Sequence, residues 1–187
     1  MGSPRIKGNT DLLLDEALRG AQSQQAEVEK IVVDKLKITP CREYYGCLRD
    51  GNCVIRDDMD DIYPRLISAD AIIVASPIFF YAVSAQLKAL IDRCQALWAR
   101  KYVLKNLDAP LRKGALIAVG ATKGERLFEG PRLTVKYFFK AINAEYADEL
   151  LIRGVDKRGE IRGHPTALAD AYELGKRLVL PTSGNIP

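Results

Sequence analysis

Gly2-Ser3-Pro4-Arg5-Ile6-Lys7-Gly8-Asn9-Thr10 gathers small, basic and hydroxyl residues directly ahead of the helical pattern Asp11-Leu12-Leu13-Leu14-Asp15-Glu16-Ala17-Leu18. Glycines let successive backbone N–H groups converge on an anion, and the helix that follows presents the positive end of its dipole. Ser3 and Thr10 can donate hydroxyl hydrogen bonds, Asn9 its amide, and Arg5 a charge-assisted bond to a phosphate dianion. A second stretch, Ser76-Pro77-Ile78-Phe79-Phe80-Tyr81-Ala82-Val83-Ser84, ends an apolar run with proline and then places three aromatics in succession. Pro77 fixes the backbone, leaving neighbouring amides free to bond the edge of a flat heterocycle while the rings pack around it. Taken alone, these aromatics are as well explained by a core or subunit contact; beside the first loop they favour a ligand site. Gly120-Ala121-Thr122-Lys123-Gly124-Glu125-Arg126 is a third candidate, able to meet the far edge of the same ligand. Lys123 and Arg126 in it are read as solvated before functional.

The elements that must carry these loops alternate. Leu14, Ala17, Leu18 and Ala21 form one stripe of a helix over Leu12–Ala21, and Glu27–Val33 reads as an extended segment whose charges suit a sheet edge. Asp57 to Asp61 supply caps and first-turn acids for a helix ending near Ala69, with Pro64 expected in or near its first turn. Ala71–Ala75 and Ala115–Val119 are continuous apolar runs, which imply strands buried on both faces, as in a parallel sheet. A helix over Ser84–Ala99 carries Leu87, Leu90, Ile91, Cys94, Leu97 and Trp98 as a wide stripe, part of it suited to a subunit contact. Leu133–Asn143 reads as a helix, Tyr146–Ile152 as a strand and Thr166–Leu180 as a closing helix. This alternation specifies a doubly wound α/β parallel sheet in one domain, residues 1–180, with ligands beyond the carboxyl ends of the strands and a loose tail over 181–187.

Composition narrows the class. The 187 residues are 48% hydrophobic and 28% charged, ordinary for a globular chain, with a net charge of +4 from dispersed residues. Nucleic-acid binding is not expected. With no run of about 18 apolar residues and no signal peptide, the reading is a cytoplasmic protein without membrane contact. His164, the only histidine, sits beside Pro165 and reads as a loop residue without catalytic duty.

These loops, together with Cys41 to Asp58 ending in Val54-Ile55-Arg56-Asp57-Asp58-Met59 and with Gln86-Leu87-Lys88-Ala89-Leu90-Ile91-Asp92-Arg93, resemble the NAD(P)H-dependent FMN reductase and iron-sulfur flavoprotein branch of the flavodoxin-like superfamily. The resemblance covers nearly the whole chain. It implies FMN, with phosphate held by Ser3, Arg5, Asn9 and Thr10, and isoalloxazine bounded by Ser76, Pro77, Ile78, Phe79, Phe80 and the loop from Gly120 to Thr122. It also implies a homodimer or homotetramer, NAD(P)H as co-substrate and a flavin, quinone or other small electron acceptor. Hydride transfer through flavin needs no protein acid or base, so no catalytic side chain is expected. The alternatives are an electron-transfer flavoprotein reduced by a ferredoxin-like partner, and an assembly or regulatory module without flavin.

Two departures stand out. Iron-sulfur flavoproteins resemble Cys-x2-Cys-x2-Cys-x5-Cys in the segment where this chain has Cys41, Tyr44, Cys47 and Cys53. One thiolate is missing, so neither an iron-sulfur cluster nor another metal is expected, and free cysteines are the favoured state over a zinc site or a Cys41–Cys47 redox pair. The flavodoxin-like strand order 2-1-3-4-5 also requires a central first strand ahead of the phosphate loop, where only Met1 and Gly2 stand. That first strand is expected to be missing, either because the natural chain starts upstream or because a shortened form has a gapped sheet; the shortened start is the reading preferred here.

Overall fold

A computed structural model describes residues 1–180; the tail expected over 181–187 lies outside the described residues. Three parallel strands, β1 (Ala71–Pro77), β2 (Arg112–Gly120) and β3 (Ala144–Arg153), form a sheet in the order β1-β2-β3. The helices are α1 (Asn9–Gln22), α2 (Cys47–Asp50), α3 (Met59–Ser68), α4 (Ala85–Arg93), α5 (Gln95–Trp98), α6 (Glu129–Ala141) and α7 (Ala167–Val179).

β2 is buried along nearly its whole length, as its unbroken apolar run requires. Its side chains alternate between two cores: Leu116 and Ala118 meet α3, α4 and α6 through Ile62, Leu90 and Phe139, whereas Ala115, Ile117 and Val119 meet α1 and α7 through Leu13, Ala17 and Leu174. α1 and α7 cross at glycines. A Cβ on Gly20 would lie 1.9 Å from the Tyr172 carbonyl oxygen, and one on Gly175 would lie 1.8 Å from that of Ala17. Buried Arg112 donates to the Leu66 and Ile67 carbonyls of α3 and to the Ile142 carbonyl after α6, satisfying helix ends that have no intrahelical partner.

Three sequence expectations change. Glu27–Val33 joins no strand ladder among the described residues, and its last residue opens a 3-10 turn at Val33–Lys35. The helix expected over Ser84–Ala99 stops at Arg93, resumes as α5 and then widens into a π-helical turn at Ala99–Val103. Arg93 marks the break: its side chain is turned fully inward to an ion pair. Pro64 lies at the sixth position of α3 rather than in its first turn, so the Asp60 carbonyl loses its helical donor.

Candidate functional site

The expected loops meet at the carboxyl end of the sheet through backbone bonds. The Gly2 N–H donates to the Ala75 carbonyl at 2.7 Å, Ile78 N–H to Val119 at 2.9 Å, and Val155 N–H to Gly120 at 3.3 Å. Side chains add to this seam. Ser84 Oγ donates to the Gly2 carbonyl at 2.6 Å, and a Cβ on Gly2 would come within 2.8 Å of Leu87, so only glycine fits where the first loop leaves the sheet.

Within that loop the Arg5 N–H donates to Ser3 Oγ at 3.2 Å, and Gly8 N–H to the Arg5 carbonyl at 3.0 Å. Gly8 is the N-cap of α1 and offers no side-chain cap, leaving the first N–H groups of the helix for an outside acceptor. A Cβ on Gly8 would lie 2.8 Å from the Arg5 carbonyl oxygen, closing the cradle. Arg5 and Lys7 are exposed beside it, whereas Ser3 and Thr10 are buried. Asp11 is the one acid in the first turn; its carboxylate accepts the Lys7 N–H and pairs with Lys30 at 2.5 Å, which offsets its repulsion of an anion.

Asn9 ties this loop to the segment after β3. Its amide donates to the Lys157 carbonyl at 2.9 Å and its oxygen accepts the Ile161 N–H at 3.2 Å, so both ends of the side chain hold the segment after β3. Arg158 joins in by donating to the Ile6 carbonyl at 2.6 Å. That fourth segment, with Lys157 and Arg158, was not singled out from the sequence. Gly154 and Gly159, both at positive φ, were the available sign of a structured turn.

The second loop is a tight hairpin. Phe79 and Ala82 exchange both backbone hydrogen bonds at 3.0 Å, and Phe80 and Tyr81 occupy its tip with φ of 49° and 60°. Positive φ at both tip residues is the geometry that asparagine and glycine normally supply. Phe80 is completely exposed, and Phe79 and Tyr81 are about half exposed. Tyr81 leans on the third loop and the start of α6, where Gly124 and Gly130 leave room for its hydroxyl and carbonyl. Buried Ser76 accepts the Ser84 N–H at 3.1 Å, a loop-fixing role, while Pro77 and Ile78 are half-buried and Thr122 is exposed. His164 accepts the Thr166 and Ala167 N–H groups at Nδ1, capping α7.

The cysteine segment packs against α5 and the π-helical turn after it. Arg93 donates to Asp57 at 2.6 Å and to the Thr39 and Ile55 carbonyls, pinning both ends of the segment. Cys41, Cys47 and Cys53 are free and half-buried; burial and the neighbouring Cys53 and Cys41 push the Cys47 thiol up. Cys94 is buried, and burial raises its thiol further still.

A parallel sheet covered by helices on both sides, with loops gathered at one end, defines a flavodoxin-like α/β protein. Solved structures share it: an NAD(P)H:quinone oxidoreductase from Methanothermobacter marburgensis superposes with a TM-score of 0.74 at 16% identity, covering 98% of this chain and 95% of that one. An FMN-dependent NADH-azoreductase from Bacillus anthracis gives 0.64 at 13% identity over 94% and 93%. Residues 1–128 match the NADPH-dependent FMN reductase family, and the chain belongs to that family. It is 40% identical to an iron-sulfur flavoprotein of Methanocaldococcus jannaschii over 122 residues, 65% of this chain and 60% of that protein. It is also 28% identical to a putative NAD(P)H-dependent FMN-containing oxidoreductase of Bacillus subtilis over 181 residues, 94% of each. The chain thus spans about 60% of the length of the first curated relatives it matches.

The residues of the first loop fit the phosphate of FMN. Gly8 leaves a helix N-terminus uncapped beside Arg5, the chemistry a phosphate needs. Among the described residues no three Cys, His, Asp or Glu side chains are grouped to hold a metal ion, and Tyr44 stands 59% exposed where a further thiolate would be required.

Proposed function

We propose that the chain is an FMN oxidoreductase that takes hydride from NAD(P)H and delivers electrons to a small acceptor such as a flavin or quinone. The observation that carries this reading is the uncapped α1 N-terminus beside Arg5, held in one seam with the Phe79–Ala82 hairpin and the Gly120–Gly124 loop. Bound FMN supplies the hydride chemistry. Arg5 and the first amides of α1 hold its phosphate, with Ser3 and Thr10 shaping the cradle and Asn9 fixing the loop from behind. Ile78 and Phe79 bound the ring on one side and Gly120 to Thr122 on the other, while Phe80 and Tyr81 shield the open face from water and present a stacking surface to a nicotinamide. Completely exposed Phe80 also suits a contact between copies, in keeping with a homodimer or homotetramer.

Titration of the purified protein with FMN tests the placement. Arg5→Ala is expected to weaken FMN about 10- to 100-fold, the loss of a charge-assisted phosphate bond, while riboflavin, which has no phosphate, binds both proteins alike. Equal FMN affinity in the two proteins would remove Arg5 from the site.

A further inference from the structure

The turn that follows β3 is joined to the phosphate loop, and its backbone is fixed on both sides of Arg158. Val155 N–H donates to the Gly120 carbonyl at 3.3 Å. Asn9, the first residue of α1, donates to the Lys157 carbonyl at 2.9 Å and accepts the Ile161 N–H at 3.2 Å. Glu160 tightens the turn from within, its carboxylate accepting the Asp156 and Lys157 N–H groups at 2.8 Å.

From this fixed backbone the Arg158 guanidinium reaches the Ile6 carbonyl at 2.6 Å, in the middle of the loop from Ser3 to Thr10. Among the described residues this is its one hydrogen bond, so most of the five donors of its planar fork are free. The bond itself stabilises little, because Arg158 and Ile6 are both exposed and water serves such a carbonyl nearly as well. What it fixes is the place of a charge. Arg5 and Lys7 flank Ile6 and are exposed too, so three cations from two distant segments border one loop. Two acids in the same segments are already engaged: Asp11 with the Lys7 N–H and Lys30, and Glu160 with the backbone of its own turn.

Charge matching gives the third cation a use. A phosphate monoester carries about −1.5 to −2 at neutral pH, and a helix N-terminus counts for about +0.5. With Arg5 alone, a full dianion is left about half a charge short. On the FMN reading of this site, we infer that Arg158 is a second phosphate-binding cation, aimed by the Ile6 carbonyl at the anion that Arg5 and the first amides of α1 hold. Because the turn is fixed by Asn9 and Val155, the charge stands in place before flavin arrives, and little freedom is lost on binding. Its effect is confined to flavins that carry a phosphate.

The test compares the natural chain with Arg158→Gln and Arg158→Lys by fluorescence titration with FMN and, separately, with riboflavin. Arg158→Gln is expected to weaken FMN about 3- to 10-fold, the scale of one exposed charge-assisted contact, with riboflavin affinity and the flavin-free melting temperature unchanged. Arg158→Lys keeps the charge and is expected to recover most of the loss. Raising the salt from about 0.05 to about 0.5 M should narrow the difference between the natural protein and Arg158→Gln. Equal FMN affinity in those two proteins would overturn the inference. So would equal weakening of FMN and riboflavin, which makes Arg158 a staple of the loop's shape. Both results leave the FMN reading standing; failure of the natural protein to bind FMN is the separate result that removes that reading and the inference together.

Discussion

Arg93 has no exposed side-chain surface and Asp57 very little, and the two meet at 2.6 Å. Removing one partner of such a pair leaves the other charge buried, so Asp57→Ala is expected to cost about 3–5 kcal/mol in urea denaturation. The pair also predicts an acid limb. Burial pushes the Asp57 carboxyl up, but Arg93 and the Thr39 and Met59 amides outweigh it and hold the carboxyl below its ordinary value of 3.8. A depressed folded value means the contribution is complete above the unfolded value and is lost as pH falls through the folded one. Thermal melting below about pH 4 should therefore fall more steeply for the natural protein than for Asp57→Asn. Arg93 was not legible as a core residue, because a charged residue at the end of an apolar stripe reads as solvent-facing until its carboxylate partner 36 positions away is placed. The loop ahead of α1 was legible because a run of small, basic and hydroxyl residues before a helix is a local signal; the hydrogen bonds of Asn9 were not, since its partners lie 148 and 152 positions away.

The hairpin from Phe79 to Ala82 holds two aromatic residues at positive φ, a conformation that costs a residue with a Cβ about 1–2 kcal/mol. Phe80 has no burial to offset this. Phe80→Asn, the residue type such a tip favours, is expected to raise stability by up to about 1 kcal/mol in urea denaturation while slowing NAD(P)H oxidation by the FMN-loaded protein. Faster or unchanged oxidation would remove the ring from the nicotinamide path. The α1–α7 crossing responds in the opposite sense: Gly175→Ala sets a methyl group against the Ala17 carbonyl and should lower the melting temperature sharply. β1, β2 and β3 were readable from their apolar runs, and none extends the expected segment by more than three residues at either end. The break after α4 escaped because hydrophobic periodicity continues through Cys94 and Leu97 whichever way the backbone turns.

At the scale of the molecule, the sheet holds the last three strands of the order 2-1-3-4-5, and the extended segment expected at strand two stands apart across a gap. Among the described residues the sheet has three strands, and their order could be read from the alternation of apolar runs and helices. What the gap does to its neighbours could not, because pairing is a property of two segments at once. In the 187-residue chain, burial and the nearby Lys30 push the Met1 ammonium from 8.0 down to about 6. A base with a lowered folded value binds fewer protons folded than unfolded between those limits, so stability should rise from pH 6 to pH 8, by roughly 2 kcal/mol, and acetylating Met1 should flatten that rise. The seam of loops stands beside this gap and remains joined through Gly2, Ser84, Ile78 and Val155. Flavin held there is predicted to be reduced by a nicotinamide. Anaerobic addition of NADH or NADPH to the FMN-loaded protein, followed at the flavin absorbance, tests this most directly: the predicted result is rapid bleaching of one flavin per chain. Flavin that stays oxidised with both nucleotides yet is reduced quickly by a reduced ferredoxin would contradict it.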